Sequence, residues 1–171
     1  MVVADASVLI VLAKIGRLEL LKANYGAVAI GHRVHAEVVV HGGKIAAAGV
    51  EEAQRGIDSG WIRVISLTPS QRRTMRRLIQ ERRLGNGEAE CLALARGRDA
   101  LVLLDDKLGR TIAAHLNIRC VGTAGVLLES FLNGHVTFSE LEAALRDLGE
   151  VLWLSSSVAT EILRIAREST E

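Results

Sequence analysis

The sequence is poor in several residue types that each indicate a particular class of protein. Its 171 residues include one proline, two cysteines and only 3% aromatic residues. Cys91 and Cys120 lack the CxxC spacing of a zinc site and are too few for a disulfide scaffold. No apolar run is long enough to cross a bilayer, and no charged segment precedes a signal-like stretch. We therefore expect a soluble, cytoplasmic protein without a membrane partner.

The net charge of +1 does not indicate a nucleic-acid partner, but the arginines are unevenly distributed. Six of them fall within residues 72–83, where the sequence predicts a helix that begins after Thr68 and Pro69. A solvated helix face explains such a run, and so does contact with phosphate groups. If this helix contacts phosphates, the residues that we expect to do so are Arg72, Arg73, Arg76 and Arg77.

Short apolar segments alternate with helical patterns along most of the chain. Strands are predicted at 2–4, 27–30, 61–67, 100–104 and 118–122, and a helical segment follows each of them. Repeated strand-helix units of this kind favour an α/β fold with a parallel sheet. From Gly125 onward the pattern is entirely helical. With 49% hydrophobic residues, the chain is long enough to bury a full core.

A single acidic residue, Asp5, ends the first predicted strand. Asp before an apolar helix is ordinary N-cap chemistry, which is one explanation for it. The other is that its carboxylate stands at the carboxyl edge of the sheet, where open α/β sheets place their ligand crevices. In the second case we expect the capping role to pass to Ser7.

Three further acidic positions also allow both a structural and a ligand-binding explanation. Glu37 lies in an otherwise apolar helical segment that we predict to end at Gly42 and Gly43. Glu88 lies in the first turn of a helix, where the helix dipole alone favours an acid. The fourth position, after the strand at 100–104, holds two adjacent acids, Asp105 and Asp106.

The four positions together indicate a metal site if the first and fourth strands are neighbours. Their carboxyl ends then bring Asp5 and Asp106 to one crevice, and adjoining helices carry Glu37 and Glu88 to it. Ligands that are all oxygen suit Mg²⁺ or Mn²⁺. Enzymes that hydrolyse phosphodiester bonds commonly use carboxylates that hold such ions.

These residues resemble those of the PIN-domain nucleases, and more closely the VapC-like toxin ribonucleases and their uncharacterised bacterial and archaeal relatives. The matching segments are VVADASVLIVLAKIGRLELL, AEVV, GNGEAECLALA and LVLLDDKLGRTIAAHLNIRCVGTAGVLL. The resemblance implies a three-layer α/β/α sandwich around a central parallel sheet of four to five strands. We accordingly expect a PIN-like nuclease domain at 1–134 and a helical extension at 135–171, packed on that domain or in a dimer interface.

The resemblance also implies the activity and the roles of individual residues. It implies a metal-dependent endoribonuclease whose Mg²⁺ or Mn²⁺ ligands are Asp5, Glu37, Glu88 and Asp106, with Asp105 an alternative fourth ligand. Glu88 departs from the Asp that is commoner at this position. Ser7 corresponds to a residue that orients the site, and Arg110 is assigned a phosphate contact. The four arginines of the helix after Pro69 are the expected contacts to the RNA backbone. A toxin would imply an antitoxin partner, and the family implies a homodimer.

Two other interpretations remain open at this stage. A PIN-like scaffold without catalysis would bind a protein or RNA partner, although the presence of all four acidic positions argues against it. A phosphate-handling enzyme of flavodoxin-like topology would also place acids after a strand. That class usually requires a phosphate-binding glycine-rich loop, and the segment from Gly85 to Gly87 is too short and lacks the GK[ST] sequence.

Overall fold

The computed structural model describes residues 1–40, 47–152 and 154–169. The strands are β1 (Val2–Ala4), β2 (Val28–Ile30), β3 (Ile62–Val64), β4 (Leu101–Leu103) and β5 (Arg119–Val121). The helices are α1 (Ala6–Lys14), α2 (Leu20–Tyr25), α3 (His32–His35), α4 (Ala47–Asp58), α5 (Pro69–Arg82), α6 (Asn86–Ala95), α7 (Lys107–His115), α8 (Thr123–Leu132), α9 (Phe138–Val151) and α10 (Ser156–Glu168). A π-helical segment, Ala36–Val40, directly continues α3. Gly42 and Gly43, predicted to end this helix, lie outside the described residues.

The strands form one parallel sheet in the order β3-β2-β1-β4-β5. The central strand β1 pairs with β2 through Val3 and Ala29, and with β4 through Val3 and Val102. The predicted α/β fold is therefore confirmed, and so is the condition that the first and fourth strands are neighbours. Each strand is shorter than or equal to its predicted span, although backbone hydrogen bonds such as that from Ile65 N–H to the Ile30 carbonyl continue just beyond the strand ends.

Helices cover both faces of the sheet, which gives the three layers. Side chains of one face, such as Ala4 and Leu103, pack against α1, α2, α4 and α8. Side chains of the other face, such as Val3 and Val102, pack against α5, α6 and α7. Neighbouring residues of one strand thus enter different cores, as the two-residue period of a strand requires. This explains why the strands read as continuous apolar runs.

The C-terminal helices α9 and α10 belong to the first of these two cores. Leu141 and Leu148 of α9 and Ile162 and Ala166 of α10 are buried in the cluster that contains α1 and α8. The division of the chain at 134/135 stays a prediction. In the part of the chain that the structure describes, no helix is long and apolar enough to cross a membrane.

The apolar face of α1 provides a test of this packing. Leu12 is fully buried in the first core, whereas Leu132 of α8 is 49% exposed. We expect Leu12→Ala to lower the free energy of unfolding by about 2–5 kcal/mol, because it removes buried methyl groups and leaves a cavity. Leu132→Ala is the matched control and should change it by less than about 0.5 kcal/mol. Urea denaturation measures both, and equal losses would contradict the described packing.

Candidate functional site

The pairing of β1 with β4 places acidic residues next to each other at the carboxyl edge of the sheet. Asp5 follows β1, and its backbone N–H donates to the carbonyl of Leu103 in β4 at 3.0 Å. Asp105 and Asp106 follow β4, two and three residues after Leu103. The helix α6 and the π-helical segment add Glu88 and Glu37 to this edge. Together these residues form what we call the acidic edge: Asp5, Glu37, Glu88, Asp105 and Asp106.

Asp5 combines the two roles that the sequence left open. It is the N-cap of α1, and its Oδ2 accepts hydrogen bonds from the backbone N–H of Ser7 at 3.1 Å and from the Ser7 hydroxyl at 2.7 Å. The expectation that Ser7 takes over the cap is wrong, because Ser7 is the donor and orients Asp5. Burial raises the pKa of Asp5. The hydrogen bonds from Ser7 lower this pKa again, and the negative charge of the nearby Asp105 raises it further. The carboxylate is therefore fixed in place where its negative charge is costly.

Glu37 lies opposite Asp5 across a glycine of α6. A Cβ at Gly87 would lie 3.2 Å from Oδ1 of Asp5 and 3.3 Å from Oε1 of Glu37. Because Gly87 has no side chain, both carboxylates reach the same small space above the first turn of α6. Glu37 is exposed and is carried by the π-helical segment, a local widening that is frequent at functional sites.

Glu88 lies in the first turn of α6 and interacts with the other acids electrostatically. Burial raises its pKa, and the charges of Asp5, Asp106 and Glu37 raise it further. Its carboxylate folds back against Gly85 and accepts from its own backbone N–H, which opposes that shift. Glu88 is therefore stabilised by the N-terminus of its own helix and is also close enough to the other acids to be affected by their charges.

The adjacent acids after β4 have different partners. Asp105 accepts from Thr123 with both oxygens, from the backbone N–H at 2.7 Å and from the hydroxyl at 2.6 Å. Asp106 is the N-cap of α7, and its Oδ1 accepts from the backbone N–H of Gly109 at 2.7 Å. Both oxygens of Asp105 therefore accept hydrogen bonds that connect the end of β4 to α8, whereas the cap of α7 engages one oxygen of Asp106.

The donor chemistry of the acidic edge fits a divalent cation. All its side chains present carboxylate oxygens, the donors that hard divalent cations prefer, and those of Asp5 and Glu37 converge over Gly87. Within residues 1–40, 47–152 and 154–169, no three His, Cys, Asp or Glu side chains are placed so that they could hold a metal ion together. Of the four predicted ligands, the structure therefore brings Asp5 and Glu37 together, whereas Glu88 and Asp106 are turned toward helix N-termini.

Arg110 and the arginines of α5 occupy different places relative to this edge. Arg110 is exposed and lies beside Asp105, since both approach Gly122. Arg73 and Arg77 line a polar cleft with Arg96, the residue that follows α6. Because Arg96 is eight residues after Glu88, about 12 Å of helix axis separates that cleft from the acidic edge. The predicted RNA contacts and the predicted ligands are therefore not one continuous cluster.

Arg72 and Arg76, the other two predicted contacts, are exposed on α5. Arg72 lines a separate groove together with His32, Ser66 and Glu90. The four arginines thus face more than one direction around α5.

Sequence reasoning missed the role of Glu90. This side chain is only 4% exposed, and its Oε2 accepts from the backbone N–H of Arg33 at 2.8 Å. It thereby caps α3, whose own N-cap, Gly31, has no side chain, and a Cβ at Gly31 would collide with it. Glu90 therefore connects α6 to the segment that carries Glu37. Its position among buried alanines and leucines was a signal in the sequence, but its partner was not.

A parallel sheet with carboxylates clustered at its carboxyl edge is an arrangement suited to hydrolytic chemistry on phosphates. A family model described as "DUF3368: PIN domain" matches residues 1–168. The chain therefore belongs to the PIN-domain family, whose members are generally nucleases that use divalent metals. Comparison with curated proteins and with solved structures gave no match.

The buried Glu90 generates a prediction for the segment that it caps. We expect Glu90→Gln to lower the free energy of unfolding by about 1 kcal/mol, because it removes a negative charge at a helix N-terminus while keeping the shape of the side chain. Glu81→Gln on the exposed side of α5 is the matched control, expected within about 0.5 kcal/mol of the unsubstituted protein. Urea denaturation measures both, and indistinguishable variants would show that this contact does not stabilise α3.

Proposed function

We propose that this PIN-domain protein is a metal-dependent endoribonuclease that hydrolyses RNA phosphodiester bonds. The observation that supports this most is the pair of carboxylates, Asp5 and Glu37, on either side of Gly87. Glu88 and Asp106 are near enough that their charges act on one another. Such mutual repulsion costs folding free energy, and a cation at this edge offsets the cost.

The acidic edge and its neighbours Ser7 and Arg110 have separate parts in the proposed reaction. Asp5, Glu37, Glu88 and Asp106 would hold Mg²⁺ or Mn²⁺. When bound, the cation supplies Lewis-acid activation of water and neutralises charge at the phosphate. Ser7 fixes the orientation of Asp5 through its hydroxyl. Arg110, which lies beside Asp105, would hold a phosphate oxygen.

The basic side chains of α5 supply the proposed contact with the RNA backbone. Arg72, Arg73, Arg76 and Arg77 are exposed, as a surface that binds phosphates requires. Contacts of this kind position a strand without reading its bases.

A toxin of a toxin-antitoxin pair is the biological role that we propose for this ribonuclease. The partner would be an antitoxin that covers the acidic edge, and the active form would be a homodimer in the cytoplasm. This proposal follows from the resemblance to VapC-like toxins. To test for both the antitoxin and the homodimer, the chain is purified with and without the product of a neighbouring small reading frame. Its mass in solution is then measured.

A catalytically silent scaffold is the second candidate. It is favoured by the hydrogen bonds that Glu88 and Asp106 make to helix N-termini, because these give both acids a structural role. Titration calorimetry with Mn²⁺ at neutral pH separates the two functions. Absence of heat from Mn²⁺ binding would favour the scaffold over the nuclease.

Substitution of Asp5 tests the nuclease directly. We expect Asp5→Asn to lower Mn²⁺-dependent cleavage of single-stranded RNA by at least about 100-fold, since loss of even an outer-shell partner costs 10–100-fold. Mn²⁺ should raise the melting temperature of the unsubstituted protein by mass action but not that of Asp5→Asn. Asp99→Asn, a change at a 95% exposed carboxylate before β4, is the control with the same charge change. Metal-dependent cleavage that survives Asp5→Asn would refute the assignment.

The adjacent acids after β4 can be separated by the same conservative change. We expect Asp106→Asn to abolish the Mn²⁺-induced rise in melting temperature while stability without metal stays within about 0.5 kcal/mol, because Asn is also a good N-cap. Asp105→Asn should instead lower the free energy of unfolding by about 1–2 kcal/mol, since Thr123 loses a charged acceptor. Thermal melts with and without Mn²⁺ measure both effects. The reverse pattern would make Asp105 the ligand.

A further inference from the structure

A polar cleft of about 390 Å³ lies between the beginning of α5 and the end of α6. Arg73 and Arg77 of α5 and Arg96 after α6 line it, together with the polar side chains of Ser70, Gln71 and Thr74. A hydrogen bond from the Gln71 side chain to the carbonyl of Leu94, at 3.3 Å, holds the two helix ends together. We refer to this feature as the arginine cleft.

The three guanidinium groups have no acidic partner among the described residues. The ion pairs within 4.0 Å found there involve Arg55, Arg119, Arg164 and Arg167. Arg73 and Arg77 are four residues apart on one helix, a spacing at which like charges destabilise the helix. An anion bound between them would remove that repulsion.

Ordinary helix chemistry explains only part of the arginine cleft. A cation at Arg96 is favoured by the C-terminal end of the α6 dipole. Arg73 and Arg77, however, come from another helix and lie in its middle turns, where the dipole gives a cation no advantage. The convergence of the three is therefore not a consequence of capping.

The lining of the cleft indicates the class of anion. Guanidinium groups bind phosphate through two parallel hydrogen bonds, and hydroxyl and amide side chains add further donors. Ala93 is its one apolar lining side chain, so the cleft offers little surface on which a base could stack. The exposed Arg72 and Arg76 lie outside the cleft but add positive charge to the same helix, which favours a ligand with many phosphates.

We infer that the arginine cleft binds backbone phosphates of an RNA strand at a distance from the bond that is cut. This inference rests on the proposed ribonuclease function and adds a second contact region, with Arg96 as a new member. The α6 axis between Glu88 and Arg96 spans about 12 Å, which corresponds to about three or four stacked nucleotides at 3.4 Å each. The protein therefore favours substrates longer than the few nucleotides that occupy the acidic edge.

The test compares a short and a long strand. Binding of a single-stranded RNA dinucleotide and dodecanucleotide is measured by fluorescence anisotropy in an Asp5→Asn background, so that no strand is cut. The variant Arg73→Gln/Arg77→Gln/Arg96→Gln is compared with Arg55→Gln/Arg63→Gln/Arg146→Gln, which removes the same charge elsewhere. Melting temperatures verify that both are folded, and Arg77→Gln alone serves if the triple variant is not.

We expect the cleft variant to bind the dodecanucleotide about tenfold more weakly than the control variant. The slope of log K against log salt should become shallower by about 2, because each lost phosphate contact on a single strand contributes about 0.7. In otherwise unsubstituted protein, the KM for the long strand should rise while kcat stays the same. The loss for the dodecanucleotide should exceed the loss for the dinucleotide.

Three outcomes would overturn the inference. Equal losses of affinity for the short and the long strand would indicate that these arginines contact the RNA at the acidic edge. Equal binding of the long strand by the cleft and control variants would show that the cleft binds no RNA. Displacement of the labelled dodecanucleotide by an acidic peptide at lower concentration than by unlabelled RNA would indicate a protein partner. If the long strand binds in a way that depends on these arginines but no RNA is cleaved, the proposed hydrolysis is refuted and the inference that the arginine cleft binds RNA is supported.

Discussion

The parallel pairing of β1 with β4 is the constraint on which the site depends. It aligns Val3 with Val102 and thereby brings the ends of both strands to one edge, where Asp5 and the two acids after β4 follow. The hydrogen bond from the Asp5 N–H to the Leu103 carbonyl extends this pairing by one step beyond the strand. A shift of register by one residue would exchange the two cores and separate the acids. The same apolar contacts that stabilise the sheet therefore position the charges.

Carboxylates crowded at one edge require compensation, and helix N-termini provide it. Asp5 accepts from a backbone N–H in the first turn of α1, Asp106 from one in α7, and Asp105 from one in α8. Glu88 lies over the start of its own helix, and Glu90 caps α3. Because each N-terminus carries a partial positive charge, the acids are stabilised individually even though they repel one another. Capping and a role in metal binding are thus compatible explanations for one residue.

The sequence predicted the fold better than the details of the site. Short apolar runs followed by helical periods were sufficient for the strands and the parallel topology, because burial on both faces leaves a clear pattern. The contact between Glu90 and Arg33 joins residues far apart in the chain, and no local pattern carries it. The sequence left the cap of α1 open between Asp5 and Ser7, because the choice between neighbouring capping residues depends on backbone dihedrals. The directions of the α5 arginines likewise depend on how α5 packs against α6.

The helix α6 gives the molecule a fixed separation between opposite charges. Its residues from Ala89 to Ala95 are buried between the sheet and α5, so the helix has little freedom to tilt. Glu88 in its first turn belongs to the acidic edge, and Arg96 at its other end belongs to the arginine cleft. A polyanion is repelled at the first of these in the absence of cations and attracted at the second. In the proposed reaction, binding in the cleft and cation binding at the edge would therefore act on different parts of the same RNA strand, with α6 as the spacer.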